Sequence, residues 1–299
     1  MEKQKTAETG SEAILREQRQ IRRERFFSNR GLIIGLSIFS VIVLAAVFVP
    51  MISGVDPNAM DVVNRLKAPS AAHIFGTDEF GRDLFTRVLY GARSSLIVGC
   101  SVAVLACFFG TIIGIYASYF KILDAILMRI CEGLTAIPGI LLAIALMAAL
   151  GASNTNVIIA LTIVYTPGVA RVVRSTALTA KKQLYVEAAK VQGARASRIL
   201  WKLIVPNVIS PLTVQASYIF AQAIISEASL SFLGAGIPAP AASWGNILQS
   251  SKAILSKAPW AVVFPGLAVV LCVLSLNLLG DGLRDYLDPR TAGRKRKKK

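Results

Sequence analysis

ASLSFLGAGIPAPAASWGNILQSS, residues 228–251, runs for 24 residues without a charge, and its reading sets the number of membrane crossings in this chain. A helix of that length would cross a hydrocarbon core of about 30 Å at about 1.5 Å per residue. The centre of the stretch argues against a helix. Pro238 and Pro240 remove backbone donors, and Gly234 and Gly236 weaken any helix that passes through them. Unpaired backbone groups facing lipid are costly, so the stretch is predicted to be an extracytoplasmic loop.

The uncharged runs on either side have no such defect. Gly31–Ile52 and Leu96–Phe120 are each long enough to span. Residues 133–170 are too long for one helix and suit two, with the turn at Gly151-Ala-Ser-Asn-Thr-Asn156. Leu203–Ser226 and Ala258–Gly280 complete a set of six predicted spans. With six, 26 Lys and Arg residues fall on one side and 7 on the other. The richer side is predicted to be the cytoplasm, with both termini in it. A seventh span would move the eight cations of residues 281–299 outside and spoil the asymmetry.

Composition agrees with this picture. The chain of 299 residues is 54% hydrophobic and 17% charged, with mean hydropathy +0.59. A soluble domain carries about a quarter charged residues, so lipid is the expected solvent for most of it. The net charge of +16 sits in short segments between uncharged ones, as topology signals do. No RNA-binding motif or zinc spacing accompanies it, and nucleic acid is not an expected partner. Cys100, Cys107, Cys131 and Cys272 form no C-x-x-C pair and are expected to be buried small residues. His73, the lone histidine, makes no metal site. The polar stretch 1–30 precedes an apolar run too long for a signal peptide, so an uncleaved anchor is expected.

Catalytic signatures are missing from the sequence. There is no G-x-x-x-x-G-K-[ST], G-x-S-x-G or H-E-x-x-H pattern, and no catalytic or cofactor-binding residue is assigned. The spans carry almost no ionisable groups of the kind that ion-coupled transporters place in the membrane. Energy for transport must then come from a partner.

The stretch between the fourth and fifth predicted spans points to that partner. Tyr185-Val-Glu-Ala-Ala-Lys-Val-Gln-Gly-Ala-Arg-Ala-Ser-Arg-Ile-Leu-Trp-Lys-Leu-Ile-Val-Pro-Asn207 reads as a short amphipathic helix to Gln192, a turn at Gly193, and a second basic helix reaching the membrane at Pro206. Glu187 could cap or bridge the turn or meet a cation on a partner. Ala188 and Ala189 would let a partner's surface approach closely. This stretch resembles the EAA loop of ABC importer permeases, matching at Glu187, Ala188, Ala189, Gly193, Ile199, Ile204, Pro206 and Asn207. The resemblance implies a type I ABC importer transmembrane fold, all-α with six transmembrane helices, in which the loop docks on an ATP-hydrolysing subunit.

Three more stretches resemble the dipeptide, oligopeptide and nickel branch of that family, in particular its C-type subunit. They are His73-Ile-Phe-Gly-Thr-Asp-Glu-Phe-Gly-Arg-Asp83, with Arg87 and Tyr90–Leu96; Leu230–Gly236 with Ser243-Trp-Gly245; and Asn277–Arg290. The sequence departs from the family pattern at Tyr119-Phe-Lys-Ile-Leu-Asp124, Glu132, Ala239 and Ala242. Asp78, Arg82 and Asp83 read as an ion-paired brace or as contacts to solute or binding protein. Trp244 reads as an interfacial anchor or a gate contact. Glu227 reads as a gate or pore contact or as a carboxylate at the interface. Asp281 and Arg284 are spaced for a helical pair. The six consecutive cations 294–299 are expected to face lipid.

By domain, 1–30 is an N-terminal tail, 31–53 the first span and 54–92 an extracytoplasmic loop. Residues 93–285 form a type-1 transmembrane domain with its coupling loop at 178–207, and 286–299 a basic tail. The expected function is the permease subunit of an inner-membrane peptide importer. Its expected partners are a homologous second permease, two ATPase subunits that bind ATP and Mg, and a solute-binding protein. The alternatives are nickel or another small solute in the same architecture, or an ATP-independent secondary transporter or channel.

Overall fold

The computed structural model describes Phe27 and residues 29–287. The basic tail 288–299 and most of the N-terminal stretch, for which lipid contact and a cytoplasmic location are expected, lie outside the described residues.

Helix α1 (Arg30–Ser53) starts where the Asn29 side chain accepts from the Leu32 amide and stops at Gly54 in the left-handed region. Helix α2 (Leu84–Tyr119) is 36 residues long and begins twelve residues before its uncharged run. Asp83 sets that start by accepting from the Thr86 amide at 2.9 Å. Helix α5 (Asn154–Lys181) is capped in the same way by Ser153. Helix α9 (Trp260–Leu287) ends the described chain.

The third crossing differs from expectation. Residues 121–132, read as part of a polar connection, are helical within α3 (Lys121–Ala136), and α4 (Gly139–Leu150) follows at 93°. Pro138 explains the break, because its ring drives the preceding residue out of the helical region, and Ile137 is extended at φ −91°, ψ 131°. Alone, α4 rises only about 18 Å, too little to cross. Five continuous helices are long and apolar enough to span, and the bent α3–α4 pair supplies the sixth crossing.

The connection between the fourth and fifth crossings contains helix α6 (Leu184–Val191), then a short turn Ala196–Arg198 and a π-turn Ile199–Ile204 that runs straight into α7 (Val205–Phe232). The second basic helix is thus the root of a crossing and not a separate element. The uncharged stretch 228–251 is also only partly irregular. Residues 228–232 finish α7, and α8 (Trp244–Ser251) is a short helix capped by Ser243.

Close backbone approach holds the bundle together. Gly110 and Gly114 are spaced as G-x-x-x-G on α2 and face α5. A Cβ on Gly110 would meet Val169 Cβ at 2.5 Å, and one on Gly114 would meet the Ala170 carbonyl oxygen at 2.6 Å. At Gly282 of α9 an added Cβ would strike Leu32 of α1, so the chain's first and last described helices meet at the same end. Two apolar cores result. One joins α2, α4, α5, α6 and α7; the other joins α1, α2, α7, α8 and α9 around Leu84, Val88, Trp244 and Leu276.

Candidate functional site

At the basic end of the bundle, α6 is a two-turn helix tied to the body on one side and bare on the other. Val186 is buried in the same core as Ile199, Leu200 and Ile204, which anchors the helix to the root of α7. Tyr185 adds a polar tie, since its hydroxyl accepts from Asn207 Nδ2 at 2.9 Å while the same amide donates to the Leu203 carbonyl. The two outer residues of the motif are therefore in contact. Pro206, in the first turn of α7, has no N–H to donate and would crowd the carbonyl four residues back; the chain just before it opens into the π-turn.

The spacing of Ala189 and Gly193 has a direct cause. The Ala194 amide donates to the Ala189 carbonyl and the Gly193 amide to that of Lys190, both at 3.0 Å. This six-to-one and five-to-two pair closes the helix with Gly193 at φ +76°. The cap requires a residue that tolerates the left-handed region four positions after Ala189. Outward, Leu184 and Val191 are 82% and 89% exposed, and with Ala188 they form a stripe at i, i+4, i+7. Glu187 and Ala188 are exposed beside it, and Ala189 is half-buried. Leu184 and Val191 were not singled out from sequence, although the helical spacing was there to show them.

At the opposite end Asp78, Arg82 and Asp83, read as an ion-paired brace or as outward contacts, have the geometry of a brace. Asp78 and Arg82 are buried and pair at 2.6 Å, with Arg87 at 3.7 Å from the same carboxylate. The other Asp78 oxygen accepts the Phe80 and Arg82 amides. Arg87 reaches back to the Pro57 carbonyl and Asn58. Asp83 caps α2, bonds the Thr86 hydroxyl and meets His73 Nδ1 at 3.0 Å. These groups brace the loop, and their carboxylates and guanidiniums are already engaged.

Trp244 is not an interfacial anchor: it is 1% exposed, and its indole N–H donates to the Val88 carbonyl at 3.0 Å. Gly245 makes that seat possible, because a Cβ there would fall 2.4 Å from the Ala228 oxygen. Glu227 does not reach the interface either. It is fully buried, accepting from Ser95 on α2 at 2.7 Å and from Ser231 on α7 at 2.8 Å. Ser231 in turn accepts the Ile237 amide, so one carboxylate joins α2, α7 and the segment before α8.

Two smaller expectations are also revised. Asp281 accepts a hydrogen bond from the Tyr218 hydroxyl of α7 where a pair with Arg284 was expected. Cys131 and Cys272 are buried, Cys107 is half-buried and Cys100 is exposed. A thiol on a lipid-facing helix surface pays little for that exposure.

Residues 106–293 match the model of the binding-protein-dependent transport system inner membrane component. This chain belongs to that permease family. The N-terminal part of the permease, residues 18–69, matches the N-terminal TM domain of oligopeptide transport permease C. A putative peptide transport system permease protein of Brucella abortus is 49% identical over 266 residues, covering 89% of this permease and 90% of the relative. A dipeptide transport system permease protein of Alkalihalophilus pseudofirmus is 44% identical, with 88% and 86% covered. An oligopeptide transport system permease protein of Bacillus subtilis is 41% identical, with 89% and 88% covered. The permease is a multi-pass membrane protein with the type I ABC importer membrane fold, and it works as one component of a larger transporter.

Proposed function

We propose that this permease is one of two homologous membrane subunits of an importer that carries small peptides across the inner membrane, powered by ATP on separate subunits. The peptide reading rests on relatives named as peptide, dipeptide and oligopeptide transport permeases, which share 41–49% of their residues over nearly the whole chain. The energetic reading rests on α6. A bare stripe of Leu184, Ala188 and Val191 on a helix ringed by Lys181, Lys182, Lys190, Arg195 and Arg198 is a knob for a protein socket, since large exposed apolar side chains in a polar setting mark interaction sites. Both termini and this loop then face the cytoplasm, where two ATPase subunits holding ATP and Mg engage the knob. A solute-binding protein delivers peptide at the opposite end.

Closure of the ATPase dimer pulls α6, and α6 is joined through Val186 and Tyr185 to the root of α7. The pull therefore reaches a membrane-crossing helix directly. Co-purification with ATPase subunits at fixed stoichiometry, together with uptake of labelled di- and tripeptides in proteoliposomes, tests this reading. Gly193→Pro and Glu187→Lys should each abolish uptake while the protein still inserts. Wild-type uptake in both would remove α6 from the mechanism.

A further inference from the structure

Between α3 and α5 a polar cavity of about 290 Å3 is lined by Asp124, Arg129, Glu132, Arg171 and Arg174, with Ala125 and Met128 between them. It is close in size to the smaller sites that hold small molecules, which start at roughly 300 Å3. Three guanidiniums face two carboxylates in it, and both carboxylates are engaged. Arg174 holds Asp124 with two parallel bonds at 2.5 and 2.6 Å. Arg129 holds Glu132 at 3.2 Å. Among the described residues no acid is ion-paired with Arg171.

Its position makes that unmatched charge informative. Residues 154–170 of α5 carry no charge and rise about 25 Å, so Arg171 sits at the cytoplasmic rim of the hydrocarbon layer. A guanidinium at that rim can extend on its flexible stem to water, a partner or a cargo. The cavity also carries both signs. The phosphate of an anionic lipid would be drawn to Arg171 as a carboxylate would, but it brings no cation for Asp124 and Glu132 to face. A peptide is itself a zwitterion, and its terminal carboxylate matches the planar fork of a guanidinium.

We propose that Arg171 receives the C-terminal carboxylate of the peptide as it leaves the translocation path, in the cavity between α3 and α5. This inference rests on the peptide-import reading above. The excess of a single positive charge holds the carboxylate loosely, which suits a site that must pass its cargo on.

The test uses the assembled transporter in nanodiscs with Ala125→Cys, a small exposed residue of the cavity wall. The rate at which a water-soluble maleimide labels residue 125 is read by mass spectrometry with tri-alanine or tri-alanine amide present. Tri-alanine at twice its Kd should slow labelling roughly threefold by mass action. The amide should protect much less, and adding Arg171→Gln should abolish the protection while Arg171→Lys keeps part of it. Equal protection by acid and amide would overturn the inference, as would none by either. So would protection that follows phosphatidylglycerol content without peptide, which would assign the cavity to a lipid headgroup. Wild-type uptake of tri-alanine separates the two readings. Uptake without protection sinks only the Arg171 site; no uptake of any peptide sinks the peptide function, and this site with it.

Discussion

Gly193 shows how one residue can carry the spacing of a whole motif. Nothing lies within 4 Å of a Cβ placed on it, so space does not forbid a side chain there. The cost is conformational: at φ +76° an L-residue loses about 1–2 kcal/mol. Gly193→Ala should therefore fray α6 and speed amide exchange over residues 184–194, whereas Gly193→Asn, which tolerates this region better, should do so less. Equal exchange in all three proteins would show that the cap does not hold the helix. Glu227 makes the opposite point, because its importance comes from what surrounds it. Removing the carboxylate by Glu227→Ala leaves the Ser95 and Ser231 hydroxyls without their acceptor, at about 1–3 kcal/mol for each buried group left unsatisfied. Glu227→Gln keeps an acceptor oxygen and should lose less. The thermal unfolding midpoint of the purified protein should fall in the order wild type, Gln, Ala; a flat series would mean that the side chain is solvated and not enclosed.

Among the elements, the α2–α5 seam offers a paired experiment with opposite signs. A methyl on Gly114 would sit 2.6 Å from the Ala170 carbonyl oxygen, and backbone cannot step aside cheaply. Gly114→Ala should destabilise the bundle by about 1–3 kcal/mol, as overpacking does. Gly168 of α5 has nothing within 4 Å of its Cβ position, so Gly168→Ala should be neutral or add up to about 1 kcal/mol through helix propensity. Resistance to denaturation in matched detergent distinguishes the two, and a like response from both would deny the close seam. These elements differed in how plainly the sequence showed them. The helices α1, α2, α5, α7 and α9 were legible because lipid demands long uncharged runs, and their ends were marked by caps such as Asn29, Asp83 and Ser153. Helix α3 was not, since Lys121, Asp124, Arg129 and Glu132 break the run and make an amphipathic helix look like a polar connection. The loop α6 was legible as a helix with a glycine stop, but its outward stripe was passed over in favour of Glu-Ala-Ala. The burial of Glu227 and Trp244 could not be read at all, because Ser95 lies 132 positions from Glu227 and Val88 lies 156 from Trp244.

For the molecule as a whole, α7 is the beam that joins the two ends. Asn207, tied to Tyr185 of α6, and Glu227, tied to Ser95 and the segment before α8, are twenty residues apart on one continuous helix, about 30 Å. A displacement of α6 has a continuous helix along which to act, with an engaged polar group near each end and Pro211 between them. That mechanism requires α6 to face the compartment that contains ATP. The charge bias of membrane insertion supports that proposed orientation, with 26 cations expected on the α6 side against 7 on the other. Two exposed valines test the orientation from both ends. Val63, 86% exposed in the loop before α2, should react as Val63→Cys with a membrane-impermeant maleimide in intact cells. Val191→Cys should react only after the membrane is opened, and the unmutated protein controls for Cys100, which is exposed on α2. With the pattern reversed, the bare stripe of α6 would face outward, beyond the reach of any cytoplasmic ATPase. The same reversal would carry 26 cations across the membrane against the bias that normally retains them, so a single labelling pattern decides both the topology and the source of the transport energy.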